Sequence, residues 1–229
     1  STRSWPKSVQ NMAFDAQSYH KPILAEKCIE FLNVRQGGIY VDCTAGGGGH
    51  SALILEKLSG KGKLLAFDKD DDAIRFCAKR FEGCGSVELI KSDFKNAARF
   101  LAEKGLKPDG ILMDLGISSH QIDEKSRGFS YMSRDSALDM RMDRTQSLTA
   151  KEILNEYDER KIFEIVRDYG EEKFASKIAK NIVAFRTVQP IETTGQLNDI
   201  IDASIPLSVR KKGGHPAKRT YQALRIAVN

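Results

Sequence analysis

Four short apolar runs alternate with stretches of helical spacing in the first half of the chain, and an acidic residue stands at or just beyond the end of each run. Ile39-Tyr-Val-Asp-Cys-Thr44 leads into Ala45-Gly-Gly-Gly-Gly49, and Ser51 to Leu58 follows as an amphipathic helix. Lys63-Leu-Leu-Ala-Phe67, ending at Asp68, predicts a second strand, with a helix across Asp71 to Phe81. Val87-Glu-Leu-Ile-Lys91 runs into Ser92-Asp93-Phe94, a helix reaches Glu103, and Gly110-Ile-Leu-Met-Asp114 reads as the fourth strand. Strand and helix alternating at this period imply βαβ units, because parallel neighbours need a long crossover between them. The expected fold class is therefore α/β with a parallel, doubly wound sheet in the order 3-2-1-4. That order leaves the apolar fourth strand at an edge. Parallel sheets are normally covered, so the sheet is expected to be missing its final strands in this chain.

After Asp114 the alternation stops. Residues 117 to 148, rich in Ser, Asp, Arg and Met, predict a long functional loop. Helices follow: Thr149-x-x-Glu152 is a capping box, Asp158 can cap a stretch ending at Gly170, and the next helix runs to Val188. Thr193-x-x-Gln196 opens another helix that Pro206 closes, and His215-Pro-Ala-Lys218 begins the last. Four short helices cannot extend a sheet, so they predict a helical insertion. Pro22 to Leu32 has helical spacing, and residues 1–19 read as a flexible arm. The expected division is a sheet core over 20–117 and 206–229, with 118–205 inserted.

A chain of 229 residues is ample for a core of this kind. No run approaches the roughly 18 apolar residues of a membrane span, and no signal peptide opens the chain, so a soluble, intracellular protein without membrane partners is expected. Cys28, Cys43, Cys77 and Cys84 form no C-x-x-C pair; core packing in a reducing compartment is expected, and no metal site. The net charge of +5 becomes informative once located. Arg210, Lys211, Lys212, Lys218, Arg219 and Arg225 fall between Ala203 and Asn229, where there is no acid, and the rest of the chain nets −1. A basic cluster in a neutral chain fits a polyanion contact; a solvated loop is the bland alternative.

Ligands of such sheets bind beyond the carboxyl ends of the strands. There the glycine loop lets backbone approach a ligand, and Asp68 can accept from both hydroxyls of a ribose. A nicotinamide dinucleotide asks for G-x-G-x-x-G, and Ser51 occupies the third position, so that fingerprint fails. Asp42, Asp93 and Asp114 would repel a pyrophosphate, whereas S-adenosylmethionine has no phosphate and carries a sulfonium and an ammonium. Phe94 offers a face to adenine.

Longer motifs carry a resemblance. Asp42-Cys-Thr-Ala-Gly-Gly-Gly-Gly-His-Ser51, Met113-Asp-Leu-Gly-Ile-Ser-Ser119, Arg127-Gly-Phe-Ser130, Leu138-Asp-Met-Arg-Met-Asp143, Tyr169-Gly-Glu-Glu172 and His215-Pro-Ala-Lys-Arg-Thr-Tyr-Gln-Ala-Leu-Arg-Ile226 resemble the small-subunit (16S-type) ribosomal RNA cytosine-N4 methyltransferases, the RsmH or MraW family. The likeness runs from His20 to Asn229. It implies a class I S-adenosylmethionine-dependent (Rossmann-like) sheet with a helical substrate domain, and cofactor contacts at Gly48, Gly49, His50, Asp68, Phe94, Asp114 and Gln121. The family continues past the last helix with further strands, in keeping with the bare edge.

The reaction implied moves a methyl group to the N4 of a cytidine, an amine whose lone pair is delocalised into the ring. It needs in-line positioning and hydrogen-bond acceptors. Asp114, Ser118 and Asp139 are the catalytic candidates, with Asp114 equally readable as a cofactor carboxylate. Arg141 is a pocket candidate, or the partner of Asp139 in an ion-pair turn. Arg210, Lys211, Lys212, Lys218 and Arg219 are expected on phosphates, with His215 and Thr220 nearer the pocket. Expected partners are small-subunit ribosomal RNA or the small ribosomal subunit, with a homodimer left open. The location is cytoplasmic, an organellar copy being left open by Arg3, Lys7 and the serines of the first eighteen residues. Two rivals stand beside this reading: a nicotinamide-dependent oxidoreductase, and a catalytically incomplete RNA-binding or assembly protein that still binds S-adenosylmethionine.

Overall fold

A computed structural model describes residues 22–210 and 214–229, which divide into two compact units between Ser119 and His120. The proposed arm, 1–19, lies outside the described residues. The first unit contains α1 (Ala25–Leu32), β1 (Ile39–Asp42), α2 (Gly49–Leu58), β2 (Lys63–Asp68), α3 (Asp71–Arg80), β3 (Val87–Lys91), α4 (Ala97–Glu103) and β4 (Gly110–Leu112). Its strands are all parallel in the order β3-β2-β1-β4, as the alternation predicts.

Side chains alternate across the pleat and build two cores. On one face Tyr40, Leu64 and Ala66 pack with Ile29 of α1, Ile54 and Leu58 of α2 and Cys77 of α3. On the other, Val41, Leu65 and Phe67 meet Ala97 and Leu101 of α4. Phe67 is fully buried with Phe100 edge-on at 5.6 Å, so Phe67→Ala would cost about 3–5 kcal/mol. Both inner strands thus read as continuous apolar runs because both of their faces are covered.

β4 is shorter than its expected span to Asp114. Its ladder stops at Leu112 because the next amides turn away; the N–H of Asp114 donates to Thr44 Oγ1 at 2.8 Å. Leu112 is buried on the sheet while Ile111 is 50% exposed.

α5 (Ser119–Asp123) begins at the division between the units, and a single 3-10 turn follows at Lys125–Arg127, so the segment expected to be irregular holds short helical pieces. The second unit then comprises α6 (Ala150–Glu156), α7 (Glu159–Asp168), α8 (Ala175–Arg186), α9 (Thr194–Ser204), α10 (Leu207–Arg210) and α11 (Lys218–Val228). Both expected capping boxes are formed, Thr149 with Glu152 and Thr193 with Gln196, and Asp158 caps α7 through the Lys161 amide. Ile153, Ile162, Val166, Ile178, Ile182, Leu197 and Leu224 form the inside of this unit.

α11 packs on α7 and α6, so residues 214–229, assigned from sequence to the sheet core, group here with the helices. The reason is local: Tyr221, Leu224 and Val228 recur on one face and are buried, and the Tyr221 hydroxyl donates to the Thr194 carbonyl. Gly170 makes the approach possible. A Cβ there would lie 2.7 Å from the Arg219 carbonyl oxygen.

Candidate cofactor-binding site

The carboxyl ends of β1, β2 and β4 are tied together by polar groups. Asp42, fully buried, accepts from Ser51 Oγ at 2.7 Å with one oxygen; its other oxygen accepts from the Thr44 amide at 3.0 Å and the Thr44 hydroxyl at 3.5 Å. Thr44 Oγ1 in turn accepts the Asp114 amide, so one hydroxyl links the end of β1 to the residue that leaves β4. Burial pushes the Asp42 carboxyl above the ordinary carboxylate range against the opposing pull of these donors. Asp42, expected to face the ligand, is instead an internal post beneath the glycine loop.

Asp68 is the post that also looks outward. One oxygen accepts from the Gly46 amide at 2.8 Å and the other from the Asp70 amide at 2.9 Å. Each oxygen keeps a further acceptor position, which is what a pair of adjacent hydroxyls requires. Burial raises this carboxyl, and Asp70 and Asp42 add repulsion.

The loop is clamped from behind by α3. Arg80 donates to the Gly47 carbonyl at 2.7 Å, and the Cys77 thiol lies 3.4 Å from the Gly46 carbonyl; burial first, then Asp42 and Asp68, push that thiol up to about 12. At Gly48, φ is +72° and a Cβ would stand 2.8 Å from the Phe81 ring, so only glycine fits. Gly49 starts α2 against Pro22.

His50 is buried, with Nε2 at 3.2 Å from the Ile23 carbonyl and Nδ1 at 3.9 Å from Asp114 Oδ2. Asp114 itself has a side chain 51% exposed. Phe94 is 40% exposed and rides on a 3-10 turn (Phe94–Asn96) that Asp93 caps through the Lys95 amide at 2.9 Å. Asp93 is thereby a turn residue that presents Phe94. The first unit gathers Gly48, Gly49, His50, Asp68, Phe94 and Asp114 beyond the strand ends, with Ser118 half-buried six residues past β4. Sequence reading missed Thr44 and the inward role of Ser51; the signal was there in Asp42-x-Thr, a spacing that suits an Asx turn.

The second unit holds the remaining candidates. Gln121 is buried in α5. Asp139 and Arg141 engage each other: the Arg141 amide and Nε reach Oδ1 at 2.9 Å, and Nη2 reaches Oδ2 at 2.7 Å. Burial raises the Asp139 carboxyl, but the bonds from Arg141 outweigh it and hold it below the usual value. Arg141 Nη1 donates further to the Gln146 carbonyl at 2.7 Å. This is the ion-pair turn left open as an alternative. His215 stacks on Tyr131 at 4.4 Å, Lys218 and Arg219 are exposed, and Arg210 lies 3.5 Å from Asp202. Thr220, expected near the pocket, is fully buried in the first turn of α11, which turns it inward with Tyr221. Lys211 and Lys212 lie outside the described residues. Arg225, counted in the basic cluster, donates to the Phe129 carbonyl at 3.0 Å and is structural.

Taken by chemistry, the first unit offers acceptors for a diol, an aromatic face and an exposed carboxylate, which suits a ligand with adjacent hydroxyls, a flat ring and positive charge. Comparison with known proteins narrows the lineage. The profile of the MraW methylase family matches residues 17–229. The ribosomal RNA small subunit methyltransferase H of Symbiobacterium thermophilum is 52% identical over 213 residues, which cover 92% of this chain and 67% of that protein. The protein of the same name from Lachnospira eligens is 50% identical over 95% of this chain and 70% of its own length. That from Heliobacterium modesticaldum is 51% identical over 92% and 68%. With nearly the whole chain matched and identities of this size, the chain belongs to the MraW methylase family.

Proposed function

We propose that this chain is an S-adenosylmethionine-dependent methyltransferase of small-subunit ribosomal RNA and that the methyl acceptor is the N4 amine of a cytidine. The observation that carries the cofactor reading is Asp68, whose two oxygens are each steadied by one backbone N–H and each retain an acceptor position. The relatives' name supplies the RNA, and it favours an enzyme over an assembly factor. When bound, S-adenosylmethionine supplies a methyl group made electrophilic by its sulfonium.

Asp68 holds the ribose hydroxyls, Phe94 covers the adenine, and the loop from Gly46 to Gly49 brings backbone close without side chains. Gln121 joins the cofactor contacts that the family resemblance implies. Asp114, anchored by its amide to Thr44 and faced by His50, holds an exposed carboxylate for positive charge and for an N–H of the reacting amine. As the amine turns tetrahedral its nitrogen gains charge, and acceptors at Asp114 and Ser118 steady it before the proton departs. Asp139, committed to Arg141 and held acidic, is the weaker base; its role is to orient Arg141 toward RNA. Arg210, Lys218, Arg219 and His215 take phosphate and sugar, joined by Lys211 and Lys212, and Thr220 supports them from inside. The target base leaves its stack to react. Such an enzyme works in the cytoplasm, beside its ribosomal substrate.

The test is transfer of labelled methyl from S-adenosylmethionine to small-subunit RNA, followed by nucleoside analysis. N4-methylcytidine is the expected product, with loss of transfer in Asp68→Ala. Label on any other atom, or none with intact cofactor binding, refutes the reading.

A further inference from the structure

α8, like α11, carries basic residues and no acid. From Lys173 to Ile191 the chain carries Lys173, Lys177, Lys180 and Arg186 and no acid, and the three lysines are exposed while Ala175, Ile178, Ala179 and Ile182 face inward. Lys177 and Lys180, three positions apart, share the solvent side of α8, and Lys173 stands exposed in the turn that leads into it. Arg186 is spent on the Leu154 carbonyl at 2.8 Å.

Neighbouring acids do not answer this row. Glu164 pairs with Arg160 and Asp168 with Arg167 on α7, while on α9 Asp199 pairs with Arg134 and Asp202 with Arg210. Glu172 is buried, its carboxylate accepting the Phe174 amide. Glu171 is the one exposed acid beside the start of the row. Lys173, Lys177 and Lys180 have no acidic partner among the described residues. Helix stability does not explain them either. Lys173 and Lys177 crowd the amino end of α8, the end where positive charge is disfavoured and an anion is welcome.

The row is also continuous with a second basic element. Gly170 lies against the Arg219 backbone, and Arg219 Nη1 donates to the Glu171 carbonyl, so the start of α11, with Lys218 and Arg219, abuts the turn from which Lys173 begins.

We infer that the exposed row Lys173, Lys177, Lys180, extended by Lys218 and Arg219, is a docking track for the phosphate backbone of the RNA substrate. It binds phosphates by charge and so contributes affinity and salt dependence without choosing the nucleotide. It rests on the RNA reading above and adds α8, which the basic cluster of residues 210–219 did not include.

The full chain carrying Lys173→Gln, Lys177→Gln and Lys180→Gln together tests it. Binding to small-subunit RNA is measured across a salt series, and S-adenosylmethionine affinity by calorimetry. A control chain carries Lys57→Gln, Lys79→Gln and Lys107→Gln, three exposed lysines of the first unit, and so has the same net charge. The α8 variant is expected to bind RNA more weakly, with the slope of log K against log salt shallower by about 2, roughly 0.7 per lost single-strand phosphate contact. The control keeps the parent slope, and cofactor affinity is the same in all three. If the triple variant loses helix by circular dichroism, Lys177→Gln and Lys180→Gln singly are each expected to flatten the slope by about 0.7. An unchanged slope with RNA still bound overturns the track and leaves the methyltransferase reading standing. A variant that binds naked RNA like the parent but not the small subunit overturns it in favour of an acidic protein contact. A parent chain that binds cofactor but no RNA overturns both.

Discussion

Ser51→Ala probes the post under the glycine loop at its most exacting point. Ser51 and Asp42 are both fully buried, and the 2.7 Å bond between them uses one whole side of the carboxylate. Alanine removes the donor, leaves almost no cavity, and strands that oxygen away from water. A hydrogen bond to a charged group is worth about 1.5–3 kcal/mol, which is the expected loss once pH has risen past the raised folded value and the carboxyl is ionised. The loss has a pH signature. Burial already raises the Asp42 carboxyl above 3.8, so the folded chain holds this proton more tightly than the unfolded one. Stability from this group is therefore complete below 3.8 and falls as pH rises through the raised folded value. Ser51 is among the groups that lower that value, so its removal carries the fall to higher pH. Where Asp42 is protonated in both states the bond is between neutral groups, and the penalty shrinks to about 0.5–1.5 kcal/mol. Hydrogen exchange at the β1 and β2 amides, read from pH 4 to 8 in both proteins, reports opening of this unit alone. A penalty that is flat with pH, or below about 0.5 kcal/mol at pH 7, the range of ordinary surface changes, would refute the reasoning.

Thr44→Val keeps the shape but strips the acceptor from the Asp114 amide; methyl-transfer kcat should fall tenfold or more, about 1.4 kcal/mol, with cofactor affinity less affected, and Thr44→Ser should restore it. Gly48→Ala forces a Cβ to 2.8 Å from the Phe81 ring at a φ of +72°; a loss of about 1–3 kcal/mol in unfolding free energy and weaker cofactor binding by calorimetry are expected. Asp139→Asn leaves Arg141 without its ion pair. Because the Asp139 carboxyl is depressed, its stability is present above 3.8 and lost as pH falls through its lower folded value; acid unfolding monitored by circular dichroism should lose that component in the variant.

Much of the fold was legible because the sheet is covered on both faces. Tyr40 and Val41, or Leu64 and Leu65, are apolar in succession since each faces a different core, and that signal survives without any knowledge of partners. The capping boxes at Thr149 and Thr193 are equally local. What escaped was set by distant groups. The end of β4 depends on a hydroxyl seventy positions earlier, at Thr44. Asp42 and Asp68 end adjacent strands with the same residue type, yet one is sealed inside and the other is open to a ligand, a difference made by Ser51 and the path of the glycine loop. Charge counting likewise found the cluster after Ala203 but not the row at α8, whose lysines are diluted in sequence and brought together by the turn of the helix and the residue that leads into it.

The clasp around the Asp139–Arg141 turn has a consequence for the order in which the chain becomes organised. Asn229 donates to the Met140 carbonyl and accepts the Met142 amide, both at 2.7 Å, and Gln146 reaches the Val228 carbonyl. These partners are separated by more than eighty positions, whereas β1 to β4 are complete within the first half of the chain. At a synthesis rate of about 5–20 residues per second, the turn waits roughly 4–17 s after its own residues are made before the groups that fix it exist. A nascent chain would thus hold all of β1 to β4 while its Asp139–Arg141 pair is still unsupported, and a stall or truncation short of Asn229 would leave that turn without its clasp.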